Sequence, residues 1–257
     1  IEFTRRLSAT CQSADLIARI GGDEFAILFG PSSGQRAIER IAKRAPREAG
    51  WPGLLVGDIS QPRGGPMLTG HASHQIGLDA DIWLTPMPDR TLTRDERESI
   101  SATSMLKGDS LYVDPKIWTK GQEAILRTAA NYPQVERIFV HPGIKKKLCE
   151  TVTGDRTWLA KIRPYWGHNY HFHMRIKCPA GASNCKGQEG INMNDDGCGK
   201  ALAWWFTDEP WKKPKKDPNK KPVKPKIVAL KDLPPACAQV LAAPAPASAA
   251  DVTLGLN

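Results

Sequence analysis

The sequence of 257 residues has no run of eighteen apolar residues, so no segment is expected to span a membrane as a helix. Its six cysteines include no CxxC pair, which argues against a structural zinc site built on paired thiolates. It has only six histidines and no internal repeat. The opening residues, IEFTRRLSAT, contain no Met and none of the basic start, apolar middle and small-residue cleavage site of a secretory signal. On that reading the chain is processed, a fragment, or not exported by that route.

What is present fits one good-sized domain with appendages: 40% hydrophobic and 25% charged residues. The net charge of +9 is local. Eight lysines against one acid between Lys212 and Lys226 supply seven of the nine positive charges. The rest of the chain carries only +2, so the charge does not argue for a nucleic-acid-binding domain. Prolines throughout that stretch keep it extended. It reads as a solvated linker over 210–228, with an electrostatic tether to an anionic polymer such as a cell wall as the sharper alternative. Five of the six cysteines lie after position 148, a clustering that suggests disulfides and an oxidising compartment.

Apolar periodicity predicts the elements. RRLSAT reads as a short helix, followed by a hairpin that turns at Gly21-Gly22 into EFAILF. GQRAIERIAKRA carries Ile38, Ile41 and Ala42 at helical spacing, with Pro46 expected to end the helix. GLLVGDI reads as a buried strand. In GLDADIWL, Leu78, Ala80, Ile82 and Leu84 share one face of a strand, while Asp79, Asp81 and Trp83 share the other. EAILRTAANY predicts a helix, VERIFVH a strand, RTWLAKIRPYW a helix stopped by Pro164, and HFHMRIKC another alternating strand. The Ala/Pro-rich end reads as disordered.

Five of the six histidines fall in two tight groups, HASH (His71, His74) and HNYHFH (His168, His171, His173). Two such groups from distant parts of a histidine-poor chain are hard to assign to chance. Residues two apart in a strand project from one face, so His171 and His173 point the same way. Gly77 allows His74 to turn back toward Asp81. If the two strands are neighbours, His74, Asp81 and one histidine of the HxH pair make an N/N/O ligand set with a fourth position open for water, the pattern of a catalytic zinc site. Copper and iron–sulfur sites with soft ligands do not fit, because no cysteine accompanies these groups. His141 stands apart and reads as a surface residue.

GHASHQIGLDAD together with HNYHFHM resembles the penicillin-insensitive murein endopeptidases, zinc enzymes of a clan that also holds D-Ala-D-Ala peptidases and the hedgehog fold. The similarity continues through LLVGDISQPRGGP, VERIFVHPGIKKKLC, WLAKIRPYWGH, DGCGKALAWWF and PPAC, covering roughly residues 37–241. The resemblance implies an α+β fold whose small antiparallel sheet carries zinc, surrounded by helices and long disulfide-braced loops. It implies that His74, Asp81 and His173 bind Zn2+, that His171 is the general base, that His168 stabilises the charged transition state, and that His71 is a further active-site residue. It implies Cys149–Cys198 and Cys178–Cys185 disulfides, leaving Cys237 and Cys11 without an assigned partner. The implied reaction is hydrolysis of the D-alanyl–meso-diaminopimelyl cross-link of peptidoglycan by a zinc-bound water, in the periplasm. Where the wider clan often has Ser and Ala, this chain has Ala72 and Asp79, a departure that fits the endopeptidase branch.

SADLIARIGGDEFAILF resembles the signature half of GGDEF diguanylate cyclases, in which Gly21, Gly22 and Glu24 would serve nucleotide and metal. About 36 residues cannot form a complete nucleotide site or an independent core. The expected organisation is therefore a partial GGDEF-like fragment at 1–36, a zinc endopeptidase domain at 37–209, the Lys/Pro-rich linker at 210–228 and a C-terminal tail at 229–257. Two other functions compete: a non-catalytic zinc-containing module that binds cell wall, and cyclic-di-GMP-related nucleotide binding by the first segment. The absent half of the cyclase site weighs against the latter, and histidines beside the ligands weigh against the former, since binding alone needs no base.

Overall fold

In Asp79–Trp83 and His171–Ile176 apolar and polar residues alternate, and the two segments pair antiparallel as strands β3 and β6. The computed structural model describes residues 14–21, 24–29, 33–59, 65, 73–179, 185–213, 229–233 and 235–242. A four-stranded sheet organises them, in the order β3-β6-β4-β5, with β4 at Val135–Val140 and β5 at Ile162–Pro164. Strand β6 lies antiparallel to β3 and β4, and β5 joins β4 in parallel. The expected α+β class holds, with one parallel pair added to the antiparallel sheet.

One face of the sheet is apolar. Ala80, Ile82, Phe172, Met174, Ile138, Val140 and Ile162 are all buried there. Against them pack Ile125, Leu126 and Ala129 of a helix at Lys120–Ala130, and Ile144 and Leu148 of another at Pro142–Thr151. Burying each large side chain of this kind contributes about 1.5–3 kcal/mol. Thr119 and Gln122 form a capping box at the start of Lys120–Ala130, fixing where that helix begins. A helix at Ser33–Ala49 packs Ala37, Ile38, Ile41 and Ala45 into the same core. With three shorter helices, the described α-helices are α1 (Ser33–Ala49), α2 (Arg94–Ser99), α3 (Lys120–Ala130), α4 (Pro142–Thr151), α5 (Lys200–Trp204) and α6 (Pro235–Ala242). An expected domain boundary after residue 36 would fall inside α1.

Several expectations change. Pro46 does not end α1; it sits in the last turn, and Gly50 at φ +69° closes the helix by donating to the Pro46 carbonyl at 3.1 Å. The hairpin of β1 (Ala14–Gly21) and β2 (Glu24–Phe29) forms, but Gly21 belongs to β1, paired with Glu24, and is not a turn residue. GLLVGDI is no regular strand. It follows the outer edge of β3 irregularly, with Gly57 N–H donating to Asp81 O at 2.7 Å and Trp83 N–H to Leu55 O at 2.9 Å. A side chain at Gly57 would meet the Trp83 indole at 2.8 Å, so the approach needs glycine. RTWLAKIRPYW is not an α-helix: a 3-10 turn at Thr157–Lys161 buries Trp158, Leu159 and Ala160 in succession, then Ile162 enters β5. Three consecutive buried residues leave no exposed helical face, and Pro164 is tolerated because β5 is an edge strand.

Cys149 is joined to Cys198 and Cys178 to Cys185, the pairings implied by the resemblance; Cys237 carries a free thiol. Packing runs past the expected domain end at 209, since Pro210 is buried and the Trp211 indole donates to Trp205 O at 2.8 Å. The expected RRLSAT helix, Cys11, Gly22, most of the Lys/Pro-rich linker and the Ala/Pro-rich end lie outside the described residues. Among the described residues no helix is long and apolar enough to cross a membrane.

Candidate metal centre

The register of β3 on β6 sets Asp79 opposite Arg175, Asp81 opposite His173 and Trp83 opposite His171. On the next strand Arg137 lies beside Arg175 and Phe139 beside His173. The second face of the sheet therefore carries polar rows across its strands, and β6 is buried on both sides. His74 enters this face from the loop before β3. Its backbone is left-handed, φ 61°, and its N–H donates to Asp79 Oδ2 at 3.3 Å. Gly77, at φ 73°, completes the return of the chain toward Asp81.

Three side chains converge as a result. His74 Nε2 is 3.3 Å and His173 Nδ1 3.0 Å from the same oxygen, Asp81 Oδ1. One ligand atom from each of His74, Asp81 and His173 lies within 4.8 Å of the others, and all three residues are buried. Asp81 Oδ1 completes no hydrogen bond despite its burial. Two imidazole nitrogens and one carboxylate oxygen crowded around a common point, away from water, suit a metal ion better than they suit each other. These three residues could hold one.

The surroundings fix the ligand atoms. His173 Nε2 bonds Asp79 Oδ1 at 2.9 Å, so Nε2 carries a hydrogen and Nδ1, 3.0 Å from Asp81 Oδ1, is the nitrogen that could give its lone pair to an ion once deprotonated. Arg175 Nη1 donates to Asp79 Oδ2 at 2.6 Å. A single buried carboxylate thus orients one candidate ligand by its ring and another by its backbone. Burial works against ionising the two aspartates, but their neighbours prevail: His173 and Arg175 hold Asp79 below the usual carboxylate range, and His173 and His74 hold Asp81 well below it. In the metal-free chain burial alone would lower the His173 pKa; Asp79 and Asp81 outweigh it and raise it to about 9.

His171 sits one step along β6, its Nε2 3.5 Å from Asp81 Oδ2. Burial lowers its pKa to about 4 against the opposing charge of Asp81, so its ring is neutral at pH 7 and able to accept a proton. His168, with φ 56°, places its ring 4.9 Å from that of His171. Its Nδ1 donates to Trp166 O at 2.7 Å, which leaves Nε2 facing away from that contact. Burial also lowers the His168 pKa. His71 lies outside the described residues.

His141 is not the surface residue expected. It is 5% exposed, and its Nδ1 accepts from Gly143 N–H at 3.0 Å, capping α4. Its own N–H donates to His168 O at 2.9 Å, which ties the cap to the loop that carries His168. Asp79, which the sequence marks only as a departure from the wider clan, is the carboxylate that joins His173, Arg175 and the His74 backbone. The signal was there, because alternation puts Asp79 on the face of Asp81.

A sequence profile described as penicillin-insensitive murein endopeptidase matches residues 26–242. A protein of that name from Haemophilus influenzae is 44% identical over 209 residues, which are 80% of this chain and 68% of the relative. Those from Yersinia enterocolitica and Klebsiella pneumoniae are 38% and 37% identical over 213 residues, 83% of this chain and 73% of each relative.

Proposed function

The chain belongs to the penicillin-insensitive murein endopeptidase family, and we propose that it is a zinc-dependent endopeptidase that hydrolyses the D-alanyl–meso-diaminopimelyl cross-link of peptidoglycan. The observation that carries this reading is the convergence of His74, Asp81 and His173 beside two further imidazoles, His171 and His168.

His74 Nε2, Asp81 and His173 Nδ1 would hold the ion. Two imidazoles and a carboxylate without thiolate favour zinc and leave a coordination position open. Zinc held there lowers the pKa of a bound water and polarises a carbonyl. The protein supplies the rest. Asp79 keeps the His173 ring turned so that Nδ1 faces the site. Neutral His171, close to Asp81, takes the proton released by water as the amide is attacked, and returns one to the leaving amine. His168, its Nδ1 committed to Trp166 O, has only Nε2 to turn to substrate, and would donate to developing negative charge only in its protonated form, which burial disfavours. Two disulfides and the location of peptidoglycan support action in the periplasm.

The test is a pair of variants. His74→Ala is expected to lose stoichiometric metal and all cleavage of a cross-linked muropeptide dimer. His171→Ala is expected to keep the metal and lose turnover by about 10²–10⁴-fold. A folded His74→Ala protein that retains metal and activity refutes the ligand assignment, and an undiminished His171→Ala rate refutes the base.

A further inference from the structure

Folding places most large aromatics inside, where burial stabilises them, so a contiguous group left outside is informative. Tyr165 is 48%, Trp166 43% and Trp204 43% exposed. Tyr165 and Trp166 touch directly, and Trp204 joins them through the buried Trp205. Ring contacts run without a break from the metal centre outward: His173 to Phe139 at 5.7 Å, Phe139 to Tyr165 at 5.5 Å, Tyr165 to Trp166 at 5.2 Å, Trp166 to Trp205 at 4.7 Å and Trp205 to Trp204 at 5.2 Å.

This ledge is built and held. The Trp166 indole donates to Pro210 O at 2.9 Å and the Trp211 indole to Trp205 O at 2.8 Å. Trp205 is buried beneath, in contact with Trp166, Trp204 and Trp211. With the Trp166 N–H already bonded to the backbone, that side chain offers the outside chiefly its ring. Such a surface recognises a flat partner with an apolar C–H face and a polar rim, which describes a pyranose ring. The roles set out for His168 and His171 do not use it.

We propose that the ledge formed by Tyr165, Trp166 and Trp204 is a saccharide subsite that stacks on the amino-sugar backbone carrying the peptide to be cut. The inference rests on the murein endopeptidase reading and deepens it. The occupant follows from continuity: the ledge begins at the ring contacts of His173 and His168, and a murein peptide bound there remains attached to its glycan. Binding energy from this non-reacting part of the substrate would hold the cross-link in place for the metal centre.

The test uses the zinc-loaded full chain. Tryptophan fluorescence is titrated with a peptide-free tetrasaccharide of alternating N-acetylglucosamine and N-acetylmuramic acid. Cleavage is compared for two cross-linked dimers, one with its disaccharides and one without sugars. Saturable quenching is expected, together with a kcat/KM about two- to tenfold higher per stacked ring for the sugar-bearing dimer. Trp204→Ala is expected to weaken saccharide binding by the same factor and to bring the two dimers closer to parity. Trp166→Phe, which keeps a ring over Trp205, gives a smaller loss and guards against misfolding. No saccharide binding, or equal rates on both dimers, overturns the ledge even while the endopeptidase reading stands. If neither dimer is cut, the endopeptidase reading fails, and the titration alone decides the ledge.

Discussion

Asp79→Asn is the perturbation that most sharply separates a built metal centre from a cluster of buried polar groups. Asp79 bonds His173 Nε2 at 2.9 Å, Arg175 Nη1 at 2.6 Å and His74 N at 3.3 Å, so one carboxylate serves both candidate histidine ligands. Asparagine keeps the shape and one carbonyl oxygen for the His173 N–H, but removes the charge that steadies the ring and balances Arg175. Loss of such an outer partner weakens metal binding about 10–100-fold, which is about 1.4–2.8 kcal/mol. Alanine would be a poorer probe. It leaves Arg175, 8% exposed and beside Arg137, as a buried charge without its carboxylate, and breaking such a pair costs about 3–5 kcal/mol of stability. Zinc affinity is read by competition with a chromophoric chelator, and the state of His173 by the NMR titration of its ring protons in metal-free protein. In Asp79→Asn the His173 pKa should fall from about 9 toward its ordinary value, because one of its two carboxylates has gone. A folded variant with unchanged zinc affinity and unchanged His173 titration would refute the orienting role.

Three other outcomes follow from the same geometry. Because His173 is protonated up to about pH 9 in the metal-free chain, loading at pH 7 must expel a proton. Apparent zinc affinity should therefore rise about tenfold per unit between pH 7 and 9 and then level; calorimetry in buffers of different ionisation enthalpy detects the proton, and a flat profile contradicts the assignment. His141→Ala should lower stability by about 1 kcal/mol through loss of the α4 cap, with His141→Asn restoring most of it; an unchanged melting temperature in the alanine variant would refute the stabilising cap. Removing Cys149–Cys198, which closes a loop of separation 49, should cost about 4 kcal/mol, against about 2.5 kcal/mol for Cys178–Cys185 at separation 7, measured by denaturant unfolding of the serine pairs. The reverse order would show that native-state contacts, rather than loop length, set their worth.

Much of the site was legible because strand alternation is a local rule. Asp81 with Asp79, and His171 with His173, could be assigned to common faces without knowing the fold. The cross-strand register was not legible, so nothing in the chain alone placed Asp79 within reach of His173 and Arg175. Features decided by tertiary packing were also hidden. In KKK, Lys145 is fully buried, its Nζ donating to Leu159 O at 2.7 Å, while Lys146 sits outside in an ion pair with Glu150 at 2.9 Å. Burial, opposed by Asp196, lowers the Lys145 pKa to about 7. Apolar periodicity does not predict helix α4, although His141-Pro142 offers a cap followed by proline at the first helical position. Strand β5 reads as helix from its local pattern because its partner, β4, lies more than twenty residues away in sequence.

The central claim is a metal centre that hydrolyses murein cross-links. Its most direct test is to strip the purified chain with a chelator, reload it with one equivalent of zinc, and follow monomer release from a disaccharide-bearing cross-linked muropeptide dimer by mass spectrometry. The account predicts no release from the stripped protein and restored release on reloading, with one zinc per chain. Cleavage that survives complete removal of the metal, or one tightly bound zinc with no cleavage at all, would contradict it; the second result would mark a cell-wall-binding module in place of an enzyme.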